Sequence, residues 1–243
     1  FDHMEFFGNT LKEIAYEKDG ILKPGVPVVL GPLKEEAYAE ITERALEKHA
    51  EVIELPSSFA IEQDGIQLEG DLYRLAVSAD YLKQNAGLAL LAAKQAGIAI
   101  HSEAVHEALM HSLWPGRFET VSEKPRIILD GAHNPDGIEA LCREIEKLPS
   151  PHIVVFSALK DKQGPLMREM LEAVFDVVIT TEFSHYRADQ AAHLGGGNTI
   201  PDWKEAIAKA VSLAGENGTA VITGSLYFIA AVRAYLKEEP KQD

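Results

Sequence analysis

The chain has 243 residues, 46% hydrophobic and 25% charged, enough apolar content for one large core or two modest ones. Its 38 acidic and 23 basic side chains leave a formal net charge of −15, a field that repels polyphosphate backbones and argues against nucleic acid as a partner, although local cations or helix N-termini can still hold a small anion. No apolar run reaches the roughly 20 residues of a bilayer span, and the opening FDHMEFFGNTLKE has no signal-peptide core, so no membrane partner and a cytoplasmic location are expected.

NTLKEIAYEKDG reads as a short helix, with Thr10 and Glu13 at capping-box spacing and Gly20 as its stop. VPVVL (Val26 to Leu30) follows as a buried strand, then a helix over 34–50, a strand in EVIEL, and a hairpin in FAIEQDGIQLEG that turns at Asp64-Gly65. Helices are predicted over 79–96, stopped by Gly97, and over 102–113. Pro115 and Gly116 in WPGRFE break the helical pattern, and the domain boundary is placed here, dividing 1–115 from 116–243.

Beyond the boundary the order is strand 126–130, helix 136–147, strand 152–157, helix 165–174, strand 176–181, a long loop, helix 202–214, strand 219–223 and helix 225–237. Alternation of this kind implies a mostly parallel sheet covered by helices, with ligands at the carboxyl ends of the strands. Gly195 to Gly197 lie in the long loop and read as a connector, since no Lys-Ser/Thr follows them; the chain contains no GxxxxGK[ST] at all. Cys142 is the only cysteine, which excludes an internal disulfide, and its apolar helical context predicts a buried thiol.

Several stretches could carry chemistry. In DGAHNP, Asp130 ends a strand, Gly131 permits the turn, and Asn134 or Asp136 can cap the next helix; turn chemistry does not account for His133. Arg117, thirteen positions before Asp130, has a planar guanidinium that could clamp a phosphate or carboxylate, or form a plain surface ion pair. His3 could ligate a divalent metal, and Lys18 could simply favour a helix C-terminus. In VITGSLYF a strand turns on Gly224 into a helix at Ser225, which serves equally as an anion-binding helix start or an ordinary cap.

Taken together and in order, DHMEFFGNTLKEIAYEKDGILKPGVPVV, LKQNAG, WPGRFE, ILDGAHNPDG, SALKDK and TGSLYF resemble the folylpolyglutamate synthase/dihydrofolate synthase family of the Mur ligase superfamily, from Asp2 to about Arg233. Other Mur ligases share the His-plus-Gly opening and a related Asp-x-x-Asn-Pro turn, but do not usually combine KPG, PGRFE and GSLY. The resemblance implies an α/β fold: a remnant of a Mur-ligase-type central ATPase domain, then a Rossmann-like C-terminal domain with a mostly parallel sheet.

It also implies an ATP- and Mg²⁺-dependent ligase that joins L-glutamate to folate or dihydropteroate through an acyl phosphate, as a monomer. By similarity His3 is a Mg²⁺ ligand and Lys18 the lysine the family carbamylates, although Asp19 replaces the usual alanine after it. Asn85 matches the asparagine at the adenine, Arg117 and Asp130 match ATP contacts, and His133 and Ser225 match residues that place the glutamate or the acyl phosphate. On this reading Asp130→Ala and His133→Ala abolish turnover and leave the fold intact. Family members carry a glycine-rich P-loop before the DH motif that is not found here, so this chain alone is expected to be inactive. Two other readings stay open: a peptidoglycan-type Mur ligase, and a non-catalytic truncated α/β binding domain.

Overall fold

The structure is a computed structural model that describes residues 20–238; the expected helix in NTLKEIAYEKDG, and with it His3 and Lys18, lies outside them. Contacts divide the chain into two compact units between Leu113 and Trp114.

In the first unit β1 (Val28–Leu30) runs parallel to β2 (Val52–Glu54), joined by α1 (Glu35–Glu47). The expected hairpin is a three-stranded antiparallel meander: β3 (Ala60–Glu62), β4 (Gly65–Leu68) and β5 (Asp71–Arg74). The third strand alternates, with Tyr73 fully buried beside a half-exposed Leu72, and its four residues are too few to announce that period in sequence. Two helices complete the unit, α2 (Asp80–Gln95) and α3 (Glu103–His111). Ile66, Leu68 and Tyr73 from the meander pack with Leu90 and Leu91 of α2 to form its core.

One lysine of α2 goes inward. Lys83 is 4% exposed and its Nζ donates to the carbonyls of Glu62 and Gln63, both at 2.8 Å. It thereby spends two of its three N–H donors on the β3–β4 turn, which offsets the cost of burying the ammonium.

The second unit is a six-stranded sheet in the order β10-β9-β8-β11-β7-β6. Its strands are β6 (Glu119–Glu123), β7 (Arg126–Leu129), β8 (His152–Phe156), β9 (Val177–Glu182), β10 (Thr199–Asp202) and β11 (Thr219–Thr223). All pairs are parallel except β6 with β7. The helices are α4 (Pro135–Ile145), α5 (Gly164–Glu172), α6 (Ala191–Leu194), α7 (Trp203–Ala214) and α8 (Leu226–Glu238).

Strand alternation divides the apolar residues between two faces. Leu129, Val155, Ile179 and Ile222 cluster with Ala206 and Ile207 of α7 and with Phe228, Ile229 and Val232 of α8. Ile128, Val154, Phe156 and Val221 take the opposite parity and are equally buried, as are Ile138 and Leu141 of α4 and Met167 and Leu171 of α5. Coverage on both faces explains why β11 is buried at all five positions and reads as a continuous apolar run. Phe228, Ile229 and Val232 are each no more than 2% exposed, worth about 2 kcal/mol apiece. A helix cap is worth only about 1 kcal/mol, so burial rather than capping fixes α8.

Two strands here were not expected: the stretch of β6 was left unassigned, and β10, together with the short helix α6, falls where a long loop was expected. β6 and β10 are the sheet's edges, and Pro201, which has no N–H to give a ladder, is tolerated at such an edge. Gly195 follows α6 with φ +77° and opens no helix. Cys142 is buried as expected, and burial pushes its thiol up to about 11. Among the described residues no helix is long and apolar enough to cross a membrane.

Candidate active site

The carboxyl ends of β7, β11 and β8 lie side by side in the sheet, and the chain tightens at each. Asp130 follows β7; its N–H donates to Ile222 O of β11 at 3.0 Å, so the ladder reaches the first residue of DGAHNP. Thr223, the last residue of β11, donates from Oγ1 to Ala132 O at 3.4 Å. On the other side Ser157 donates its N–H to Thr223 O at 3.3 Å. The turns after β7 and β11 are therefore held together by hydrogen bonds that sequence spacing does not reveal.

Asp130 is 3% exposed, and both carboxylate oxygens accept backbone donors: Oδ2 from Phe118 N–H and Oδ1 from Ala132 N–H, each at 2.8 Å. This corrects the expectation that Asp130→Ala would leave the fold intact, because removing the carboxylate strands two backbone N–H groups. Asn134 caps α4 by accepting from Gly137 N–H at 2.8 Å, which decides between the two cap candidates. The ring of His133 donates from Nδ1 to Gly131 O at 2.8 Å, so in the neutral imidazole Nε2 carries the lone pair.

Arg117 is half-buried, and its guanidinium lies over the Gly131 turn. A Cβ at Gly131 would sit 2.5 Å from Arg117 Nη1 and closer still to Leu226 Cδ2, so glycine lets these two side-chain ends close over the turn; its backbone is not left-handed, so the turn itself does not require glycine. Ser225, 1% exposed, precedes α8 and accepts the Tyr227 N–H on its Oγ at 3.2 Å. It is an N-cap, and its hydroxyl hydrogen remains available as a donor.

Arg117, Asp130, His133 and Ser225 thus belong to one unit and one edge of one sheet. Asn85 is in the first unit, exposed on α2, two residues before Gly87. His3, the expected metal ligand, and Lys18 lie outside the described residues. Among the described residues no group of three or more His, Cys, Asp or Glu side chains could hold a metal ion.

Other side chains at this edge were not singled out from sequence. Arg187, after β9, pairs with Asp161, after β8, through Nη2–Oδ2 at 2.5 Å and Nε–Oδ1 at 3.3 Å. Burial raises the Asp161 carboxyl, but the Arg187 hydrogen bond, a backbone hydrogen bond and the charges of Arg187 and Lys162 together outweigh it and leave the group below the usual range. His185 stacks on Tyr227 at 4.3 Å between ring centroids. Glu119, inside the WPGRFE stretch, binds Arg233 of α8 through Nε at 2.9 Å to both oxygens. Asp161 and Glu119 both fall within stretches quoted for the family resemblance, which was the one available signal.

Residues 116–226, which contain the whole of this edge from Arg117 to Ser225, match the family described as Mur ligase, glutamate ligase domain. A curated relative from Bacillus subtilis (strain 168), named dihydrofolate synthase/folylpolyglutamate synthase, is 37% identical over 264 residues, covering 97% of this chain and 60% of its own length. Over nearly its whole length the chain is similar to the folylpolyglutamate synthase/dihydrofolate synthase family.

Solved members of the family share the fold. The Mycobacterium tuberculosis folylpolyglutamate synthase complexed with ADP and AMPPCP superposes with a TM-score of 0.84 at 26% identity, over 99% of this chain and 63% of that one. Escherichia coli FolC in complex with DHPP and ADP gives a TM-score of 0.84 at 25% identity, over 98% of this chain and 59% of that one. The chain spans about 60% of the length of the curated family members it matches.

Proposed function

We propose that this chain is part of an ATP-dependent ligase that adds L-glutamate to folate, or to dihydropteroate, as a monomer in the cytoplasm. The observation that carries the reading is the meeting of GRFE, DGAHNP and GSLY at the carboxyl edge of the adjacent strands β7 and β11. The nucleotide and folate complexes named among the relatives support it.

In this reading Arg117 neutralises phosphate charge, and Asp130 and Asn85 contact the nucleotide. His133 and Ser225 face the acyl phosphate and the incoming amine. The reaction runs in two steps: a folate carboxylate oxygen takes the γ-phosphoryl group of ATP and releases ADP, then the glutamate amine attacks the acyl carbon and phosphate leaves. Charge accumulates on oxygen in both, so positioned donors are what the protein must supply: a guanidinium, a serine hydroxyl and the first N–H groups of α8, while the imidazole, its Nδ1–H fixed on Gly131 O, offers the lone pair of Nε2 as acceptor for a proton of the incoming amine. Mg²⁺, with His3 as its proposed ligand, would supply further neutralisation when bound.

The test is amide ligation by the complete protein with ATP, Mg²⁺, glutamate and either tetrahydrofolate or dihydropteroate. ATP-dependent product is expected, with His133→Gln lowering kcat by roughly 100-fold while AMPPCP affinity holds. No ligation with either acceptor would overturn the reading.

A further inference from the structure

Arg117 is mounted on an unusual piece of backbone. The residues on both sides of it are left-handed, Gly116 at φ +71° and Phe118 at φ +46°. For a phenylalanine this conformation is disfavoured, and it persists only where the surroundings over-determine it.

Four hydrogen bonds do so. Phe118 N–H donates to Asp130 Oδ2 at 2.8 Å, and Gly131 N–H donates to Gly116 O at 2.8 Å, both from the strand mouth. Arg117 N–H donates to Trp114 O at 3.2 Å. The fourth comes from elsewhere: Gly116 N–H donates to Glu119 Oε2 at 2.8 Å.

Glu119 is itself held by Arg233, 114 residues later in α8, whose Nε lies 2.9 Å from both carboxylate oxygens. The two side chains are only 23% and 27% exposed, so water screens the pair weakly. One turn earlier on α8, Ile229 packs against Gly116 so closely that a Cβ there would come within 2.7 Å of Ile229 Cγ2. The helix that begins at Ser225 therefore also braces the loop that carries Arg117.

We infer that Glu119, held by Arg233, is a positioning residue that fixes the Arg117 guanidinium for ATP. It touches no substrate and acts through the Gly116–Phe118 backbone. This rests on the proposed function, in which Arg117 contacts the nucleotide.

The experiment measures AMPPCP affinity, KM for ATP, KM for glutamate and thermal unfolding in the complete protein. Glu119→Gln keeps an acceptor for Gly116 N–H and loses the ion pair. AMPPCP binding and KM for ATP are expected to worsen about 5- to 20-fold with KM for glutamate unchanged, since a displaced guanidinium weakens contacts to phosphate alone. Arg233→Lys should restore part of the effect seen in Arg233→Met, because an ammonium can still pair with the carboxylate.

In an Arg117→Ala background, Glu119→Gln should cost nothing further in AMPPCP affinity, as two residues on one path are non-additive. Full additivity there would overturn the inference, and so would wild-type nucleotide affinity in Glu119→Gln. If Glu119→Gln fails to fold, the Arg233→Lys and Arg233→Met pair decides, with equal ATP constants in both overturning it. Unchanged AMPPCP binding in Arg117→Ala alone would instead remove Arg117 from the nucleotide site, a failure of the proposed function and distinguishable from the others.

Discussion

Asp130 accepts the Phe118 N–H across twelve residues of chain, and the same carboxylate accepts the Ala132 N–H on its other oxygen. Asp130→Ala leaves both donors without partners at a position 3% exposed, and should destabilise the second unit by about 2–4 kcal/mol, read as a lower urea midpoint. An unchanged midpoint would show that the two N–H groups find other acceptors. Loss of activity in this variant is therefore not evidence of a substrate contact unless stability is measured beside it.

Gly131→Ala isolates the approach of Arg117 more cleanly. The added methyl would lie 2.5 Å from Arg117 Nη1 and closer to Leu226 Cδ2, and must displace both side-chain ends. Since a long side chain can swing away, the predicted result is a roughly tenfold weaker AMPPCP affinity with a loss of stability of about 1 kcal/mol. Unaltered affinity would mean the guanidinium reaches the nucleotide from another rotamer.

The first unit has its own acid-sensitive contact. Asp71 Oδ2 lies 2.7 Å from His101 Nδ1 and 3.6 Å from His106 Nε2, whose ring stacks on Tyr73 at 4.4 Å. The His101 hydrogen bond holds the Asp71 carboxyl below its ordinary range. A depressed carboxyl stabilises the fold above its unfolded pKa, near 4, and that contribution disappears as pH falls through the lower folded value. The urea midpoints of wild type and Asp71→Asn should therefore differ at pH 6 and converge as the solution is acidified below pH 4. A constant gap would mean that the charge is irrelevant.

Cys142 offers a control on the second unit. Its thiol is pushed up to about 11 by burial, with the Glu146 carboxylate adding to the effect. Reaction with a disulfide reagent at pH 8 should be negligible in the folded protein and complete on unfolding; rapid labelling of the native state would contradict the burial.

Much of the second unit was legible because its strands announce themselves. HIVVF and TAVIT are apolar runs buried on both faces, separated by helices with clear breaks at Pro135, Gly164 and Gly215. The elements that escaped are the edges and the single-turn helix α6, whose four residues are too few for a helical period. ETVSE and TIPD are polar because one side of each meets water, and a polar segment of four or five residues has no period to distinguish it from loop.

The site divides in the same way. DGAHNP and GSLY could be read because their chemistry is packed into consecutive residues. The Glu119–Arg233 pair could not: its members stand at the two ends of the second unit, and only parallel pairing of β7 with β11 brings them within reach. Phe118 is similar, since nothing in its identity foretells a left-handed backbone, which is imposed by the acceptors around it.

The ammonium of Lys83, enclosed under the β3–β4 turn and occupied by two carbonyls, is out of reach of acylating reagents. A lysine footprint of the native protein will leave a gap at that position while Lys94, 44% exposed on the same helix, is marked. The gap can close only when the meander lifts off, so one amine in this chain serves as a chemical seal whose breakage reports that opening.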